Sequence, residues 1–347
     1  MKKVAVITTL NHNPGDDYIR FGVYHILASL LKGAQIVELH KHDATKDRVK
    51  TQEVIDWADT VIQAGTPCYW CNPGHHSGKS EWANPIWREI LFHDSSKQVI
   101  NIGAGSYFGY YAEGGGALRN HEYTAYIEKM TTRSNITTVR DSLAESMLAR
   151  MGFDVPLLLC PATWGQDYIG NAKTIEKDKK LIVGSFQSNA GHFNFNNVAL
   201  DAQRFARLYR TVITSLSKDF KVIIVSHSEK DLMEARMCLP DMEHHLISTA
   251  RSQDSLAIYA RASMYIGTRI HGAFSVISNG SPAILFCSDS RSRMMDLVNM
   301  PRYFVNDLPG PEELVQLATG MITDEVSEKI QLIKERNFRE YRKLFDI

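Results

Sequence analysis

Short β-branched runs alternate with longer stretches of helical period along this chain, and the alternation occurs twice. "KVAVITTL" (3–10) reads as a strand, and "DDYIRFGVYHILASLLKG" (16–33) reads as an amphipathic helix closed by Gly33. Strand patterns follow at 34–40, 59–65, 97–105, 135–141 and 155–160, with helical patterns at 84–93, 121–133 and 142–152 between them. Parallel strands need a crossover, and crossover helices cover the sheet, so this spacing implies a parallel sheet with both faces buried. The stretch "GQDYIGNAKTIEKDKK" (165–180) breaks the rhythm: it is polar, ends in charges and lacks strand character. The alternation then restarts. Strands are expected at 180–187, 220–227, 244–249, 263–270 and 282–287, with helices at 199–218, 229–239, 255–262 and from Gly272. A polar amphipathic helix over 324–345 packs on the second half or crosses back to the first.

The pattern predicts an α/β chain of two tandem Rossmann-like, doubly wound domains facing a cleft. The expected divisions are an N-terminal domain over 1–164 on the acceptor side, a linker over 165–180, a C-terminal domain over 181–323 on the donor side, and a helix over 324–347. A chain of 347 residues, 44% hydrophobic and 22% charged, is large enough for two such cores. Lys plus Arg and Asp plus Glu are both 39, so no global basic field draws in nucleic acid. The first apolar run is too short to span a membrane and ends in a turn, so the expectation is a cytoplasmic protein with no integral membrane segment. Five cysteines in a chain of this length suggest no disulfide framework.

Ligands of doubly wound sheets lie beyond the carboxyl ends of the strands, which singles out the polar residues there. In "GTRIHG", Arg269 and His271 share side-chain parity if the strand persists through them. Arg offers a planar fork to carboxylate or phosphate, and His moves protons near neutral pH. The following helix start also favours an anion. The other reading is an Arg paired to a structural carboxylate and a His capping the helix. "TVRDS" places Arg140 in the equivalent position of the first half; Asp141 and Ser142 read as caps, which Arg140 does not.

After the first strand, Asn13, Pro14 and Gly15 make a turn. Asp16 or Asp17 there can cap the helix, bind a sugar hydroxyl or act as a base. Gln187, Asn189 and His192 follow the first strand of the second half, and Ser226 and His227 follow the next. All are candidate ligand contacts. Cys68 and Cys71 with His75 and His76 do not form a standard zinc set. Their loop reads instead as cleft lining, with Tyr69 and Trp70, and Trp82 and Trp87 nearby, offering flat faces to sugar rings. Gly103 and Gly105 lack the third glycine of a dinucleotide fingerprint, and no cofactor is expected.

Taken in order, "NPGDD", "TVRDSLAESMLARMGFDV", "VSHSEKD" and "GTRIHGAFSVISNGSPAILF" resemble the polysaccharide pyruvyl transferase family, over residues 1 to about 300. The resemblance implies a GT-B architecture. It implies phosphoenolpyruvate as co-substrate and a sugar or lipid-linked glycan as acceptor, which would place the protein at the inner membrane surface. It implies Arg269 and Arg140 as ligands of the donor anions and His271 as the acid/base. Asp16 or Asp17 would orient or deprotonate the acceptor. Three positions depart from the family pattern: Cys160-Pro161 stands where Asp-Pro is usual, "CSDSRSRMMD" stands where a Tyr-Asp-x-Lys-like stretch is usual, and "GTPCYWC" stands where a Gly-Gly pair is usual. Two alternatives remain at this level: a GT-B glycosyltransferase using a nucleotide sugar, and a non-catalytic glycan- or anion-binding homologue.

Overall fold

The computed structural model describes residues 2–10, 13–41, 43–65, 91, 95–113, 118, 121–170, 175–191, 200–249 and 251–345. The expected helix at 84–93 lies outside them except for Leu91, and Tyr69, Trp70, the Cys68/Cys71 pair and His192 lie wholly outside.

The first sheet comprises β1 (Lys3–Thr8), β2 (Gln35–His40), β3 (Thr60–Ala64), β4 (Gln98–Ala104) and β5 (Ile136–Val139), in the order β2-β1-β3-β4-β5, all parallel. The second comprises β6 (Asp178–Ser185), β7 (Lys221–Ser226), β8 (Leu246–Ser248), β9 (Ala262–Gly267), β10 (Ala283–Cys287) and β11 (Arg302–Phe304), in the order β11-β10-β9-β6-β7-β8, again all parallel. Numbered from β6, this is the doubly wound order 6-5-4-1-2-3. Chain direction across the sheet reverses between β1 and β3 in the first half and between β6 and β9 in the second. A crevice opens at each reversal.

The described helices are α1 (Pro14–Leu30), α2 (Asp43–Lys46), α3 (Arg48–Trp57), α4 (His121–Arg133), α5 (Ser142–Arg150), α6 (Gly165–Tyr168), α7 (Ala202–Leu216), α8 (Glu229–Cys238), α9 (Ser252–Arg261), α10 (Ile270–Ile277), α11 (Pro311–Gly320) and α12 (Asp324–Phe345). Among the described residues no helix is long and apolar enough to cross a membrane. Central strands are buried on both faces: Val4, Ala5 and Val6 of β1 and Met264, Tyr265 and Ile266 of β9 are fully enclosed. This is why they read as near-continuous apolar runs rather than alternating ones.

Three local expectations meet a different outcome. "VPLLLC" forms only an isolated bridge, Val139 to Leu157, rather than a strand. Pro156 has no N–H to donate, and α12 takes the next groups: Leu159 donates its N–H to Asn337 Oδ1 at 3.0 Å and accepts from the Tyr341 hydroxyl at 3.1 Å. Within 165–180, residues Gly165–Tyr168 make a turn of helix whose Gly165 and Gln166 are buried, and β6 begins at Asp178. The helix after β9 starts at Ile270, so the strand does not persist to His271. α12 spans both halves. Lys334 Nζ bonds Asp167 Oδ2 at 2.6 Å and Ser278 O at 2.8 Å, whereas Asn337 and Tyr341 reach Leu159 of the first half.

Candidate active site between the two sheets

The turn after β1 meets the helix after β9. Asn13 is the N-cap of α1: its backbone is extended and its Oδ1 accepts from Gly15 N at 2.9 Å, with Pro14 at the first helical position. The cap is thus Asn13 and neither aspartate; Asp16 and Asp17 lie in the first turn, where the helix dipole favours a negative charge. The bare backbone of Gly15 lies against the His271 ring, because a Cβ there would stand 2.5 Å from His271 Nδ1. Only glycine allows this approach. Two motifs 256 positions apart (271 minus 15) therefore form one surface.

Asp17 accepts a short hydrogen bond from the Ser252 hydroxyl at the start of α9 and pairs with Arg20 at 2.9 Å. It ties the halves together. Asp16 lies within electrostatic reach of Arg291.

Arg269 is the N-cap of α10, not a strand residue, and its side chain makes no capping hydrogen bond. The fork is committed to a carboxylate: Nε donates to Asp231 Oδ2 at 2.8 Å and Nη2 to Oδ1 at 2.6 Å, with both residues buried. This matches the structural reading of that arginine. Burial pushes the Asp231 pKa up, but the Arg269 bonds and the Ser228 hydroxyl outweigh it and hold the carboxyl below its ordinary value. Ser185 Oγ holds the same turn, accepting from Arg269 N at 2.9 Å and Thr268 N at 3.1 Å. Arg269 and its carboxylate thereby fix where α10 begins, and with it where His271 points.

His227 is enclosed beside this pair. Its Nε2 bonds the Tyr259 hydroxyl at 2.7 Å and its backbone N–H donates to Asp231 Oδ2 at 3.1 Å. Burial, reinforced by the Arg269 charge, pushes its pKa down to about 3, so the ring is neutral near pH 7. Tyr18 of α1 sets its ring edge-on to His227 at 5.7 Å and shares a short hydrogen bond with Ser255 of α9. Gln187 Nε2 reaches Asp231 Oδ1 at 3.4 Å. Asn189 is half-buried in the turn after β6, and Ser226, at the end of β7, has a buried Oγ without a hydrogen-bond partner. Of the second-half candidates, His227 and Gln187 thus brace the arginine pair.

Arg140 is 1% exposed, beneath the ends of β3, β4 and β5. Nη1 donates to Gly65 O at 2.7 Å and contacts Cys160 Sγ at 3.6 Å. It makes no ion pair with any described residue, and its buried Nε has no partner. Gly105 permits this packing, since a Cβ there would lie 2.6 Å from Nε. Asp141, its neighbour, is spent otherwise: its carboxylate accepts from Ser106 N and Oγ, both at 2.7 Å, and from Ala144 N at 2.9 Å. Burial raises its pKa despite those bonds.

Residues 106–109 then cross to the second half. Ser106 Oγ bonds Ser290 Oγ at 2.8 Å, Ser290 N donates to Phe108 O at 2.9 Å, and Gly109 bridges Asp289. Arg291 lies over the Tyr107 ring at 4.5 Å and forks to Asp289, with Nε to Oδ1 at 2.9 Å and Nη2 to Oδ2 at 2.6 Å. Burial opposes its charge, but Asp289, Tyr107 and Asp16 more than restore it. Sequence reasoning set Arg291 aside as a departure and missed Asp231, Tyr18 and Tyr107. Only the Asp in "VSHSEKD" carried a signal, since it lies just past a strand end.

Comparison with solved structures gives the fold. UDP-GlcNAc 2-epimerase from Neisseria meningitidis, bound to UDP-GlcNAc, is similar at TM-score 0.54 and 12% identity, over 95% of this chain and 94% of that one. UDP-GlcNAc 2-epimerase from Methanocaldococcus jannaschii is similar at TM-score 0.52 and 10% identity, over 97% and 99%. Phytolacca americana UGT2 is similar at TM-score 0.53 and 9% identity, over 99% and 97%. These likenesses establish a GT-B fold of two Rossmann-like halves. No curated protein matches. The family model for polysaccharide pyruvyl transferase matches residues 13–290, from the Asn13 cap to Ser290 of the seam. The chain belongs to the polysaccharide pyruvyl transferase family.

Proposed function

We propose that the protein transfers pyruvate from phosphoenolpyruvate to a pair of hydroxyls on a glycan, forming a ketal. The observation that carries this reading is the packing of His271 against Gly15, which brings a proton-handling ring to the turn bearing Asp16. In the proposed reaction, C3 of phosphoenolpyruvate gains a proton and a sugar oxygen bonds C2. The C2–O bond to phosphate breaks, and a neighbouring hydroxyl closes the ketal. Two hydroxyl protons are lost: one balances the proton at C3 and the other leaves with phosphate. His271 supplies the first proton or takes the hydroxyl proton, and Asp16 orients the acceptor.

The donor carries a carboxylate and a phosphate, which call for net positive charge. Arg269 and Arg291 are each neutralised by their own carboxylate, Asp231 and Asp289. Arg140 forms no ion pair with any described residue, and it is assigned the positive charge for the donor anions. Arg291, over the Tyr107 ring and within electrostatic reach of Asp16, is a second donor contact that offers hydrogen bonds rather than net charge. Asp17 is assigned to holding the halves together rather than to chemistry.

The test is incubation with phosphoenolpyruvate and a glycan panel, reading phosphate release and the mass gain of a pyruvate ketal. Stabilisation by nucleotide sugars and not by phosphoenolpyruvate would instead favour a glycosyltransferase. Binding without turnover would favour a non-catalytic role.

A further inference from the structure

Outside that cluster, aromatic and charged side chains from both halves meet just beyond the 106–109 crossing. Beyond Gly109 the crossing loop places Tyr110 flat on Phe304 of β11, with centroids 5.1 Å apart. Tyr111 sets its ring edge-on against both, at 4.9 Å from Tyr110 and 5.2 Å from Phe304. Arg293 Nη2 fixes the next backbone carbonyl, Ala112 O, at 2.6 Å. Tyr111 nevertheless remains 64% exposed. Beside this cluster, Arg302 lies 5.1 Å from the Tyr110 ring centroid and forks to Asp296 at 2.6 and 3.0 Å. The Asp296 side chain is 47% exposed.

We propose that Tyr111, together with the Asp296–Arg302 pair that packs on its neighbour Tyr110, is a stacking subsite for a sugar ring of the glycan acceptor, distinct from the ring that receives pyruvate. This rests on the transferase reading above. A pyranose offers an apolar C–H face to an aromatic ring and hydroxyls at its edge to a planar carboxylate and guanidinium. The Tyr111 ring is already immobilised by its neighbours, so stacking costs it little further freedom. The loop that carries it also carries Tyr107, under Arg291, and Gly109, bridged to Asp289. The platform therefore adjoins the cleft without entering it, as a subsite for a neighbouring sugar requires.

The experiment compares wild type with Tyr111→Ala on a minimal acceptor and on a longer oligosaccharide of the same repeat, at saturating phosphoenolpyruvate. The expected result is a rise of about tenfold in KM for the longer acceptor, with KM for phosphoenolpyruvate unmoved and Tyr111→Trp restoring the loss. An unchanged KM for the longer acceptor, or an equal rise for both acceptors, overturns the proposal. If wild type releases no phosphate with any glycan, the transferase reading has failed, and the subsite is judged by calorimetric titration of the oligosaccharide. Weaker binding to Tyr111→Ala upholds it; equal binding, or no binding to wild type, overturns it.

Discussion

Arg140 and Arg269 hold matching places in the two halves. Each follows a strand of its sheet, each immediately precedes a residue that starts or caps a helix, and they are 1% and 7% exposed. Their surroundings differ. Arg269 shares two hydrogen bonds with a carboxylate, whereas Arg140 has a backbone carbonyl and a thiol. At Cys160, Arg140 meets a thiol, and it forms no ion pair with any described residue. A buried pair and a buried lone guanidinium do opposite things: the first holds a fold element in register, and the second favours an incoming anion. Two residues that read alike in the sequence thus meet different surroundings, and the proposed function gives scaffolding to Arg269 and anion binding to Arg140.

The same substitution at both positions tests this division most strongly. Arg269→Met strands Asp231 in the core and is expected to cost about 3–5 kcal/mol of stability, whereas Arg140→Met shifts stability by less than about 1 kcal/mol, since it removes an unpaired charge along with one hydrogen bond. Denaturant titration of both variants measures the contrast; equal losses would erase it. If the Arg269 pair serves to aim His271, crowding that ring should mimic damage to the pair without unfolding the protein. Gly15→Ala is expected to lower kcat about a hundredfold with an unchanged melting temperature, read by steady-state kinetics and calorimetry.

Arg140→Met should raise the KM for phosphoenolpyruvate about tenfold, and an unmoved donor KM would remove Arg140 from the anion site. The smallest effect concerns the brace behind Arg269. His227 is neutral in the fold down to about pH 3 but protonates near 6.5 when unfolded, so the unfolded chain binds more protons in that window. Stability is therefore expected to fall as pH drops from 6.5 toward 3, and His227→Gln should make that fall shallower in unfolding curves taken across the window.

The two parallel sheets are legible because β-branched runs and helical periods differ in length and spacing, and β1, β9 and β10 are enclosed along nearly their whole length, so each carries a run of consecutive apolar residues. The helix start at Ile270 is not legible, since Arg269 caps it through a backbone turn held by Ser185 and Tyr265, which lie 84 and 4 positions away. Asp231 reads as an ordinary first-turn acid of α8; its pairing with Arg269 spans 38 positions and depends on β6 lying between β7 and β9. Arg291 belongs to the site because a loop of the other half lays Tyr107 against it, a contact no local pattern encodes. Conversely, Asp16, Gly15 and His271 were accessible from strand-end position alone, because the switch point of each sheet faces the other.

The central claim is that His271, seated on Gly15, moves protons for transfer of pyruvate to a glycan. Its most direct measurement is the stoichiometry of phosphate released from phosphoenolpyruvate to ketal formed on the glycan, for wild type and for His271→Ala. The account expects one phosphate per ketal in wild type, and a rate lower by about 10²–10⁴-fold in a folded His271→Ala. Full activity in that variant, or phosphate release with no ketal on any glycan, would contradict it.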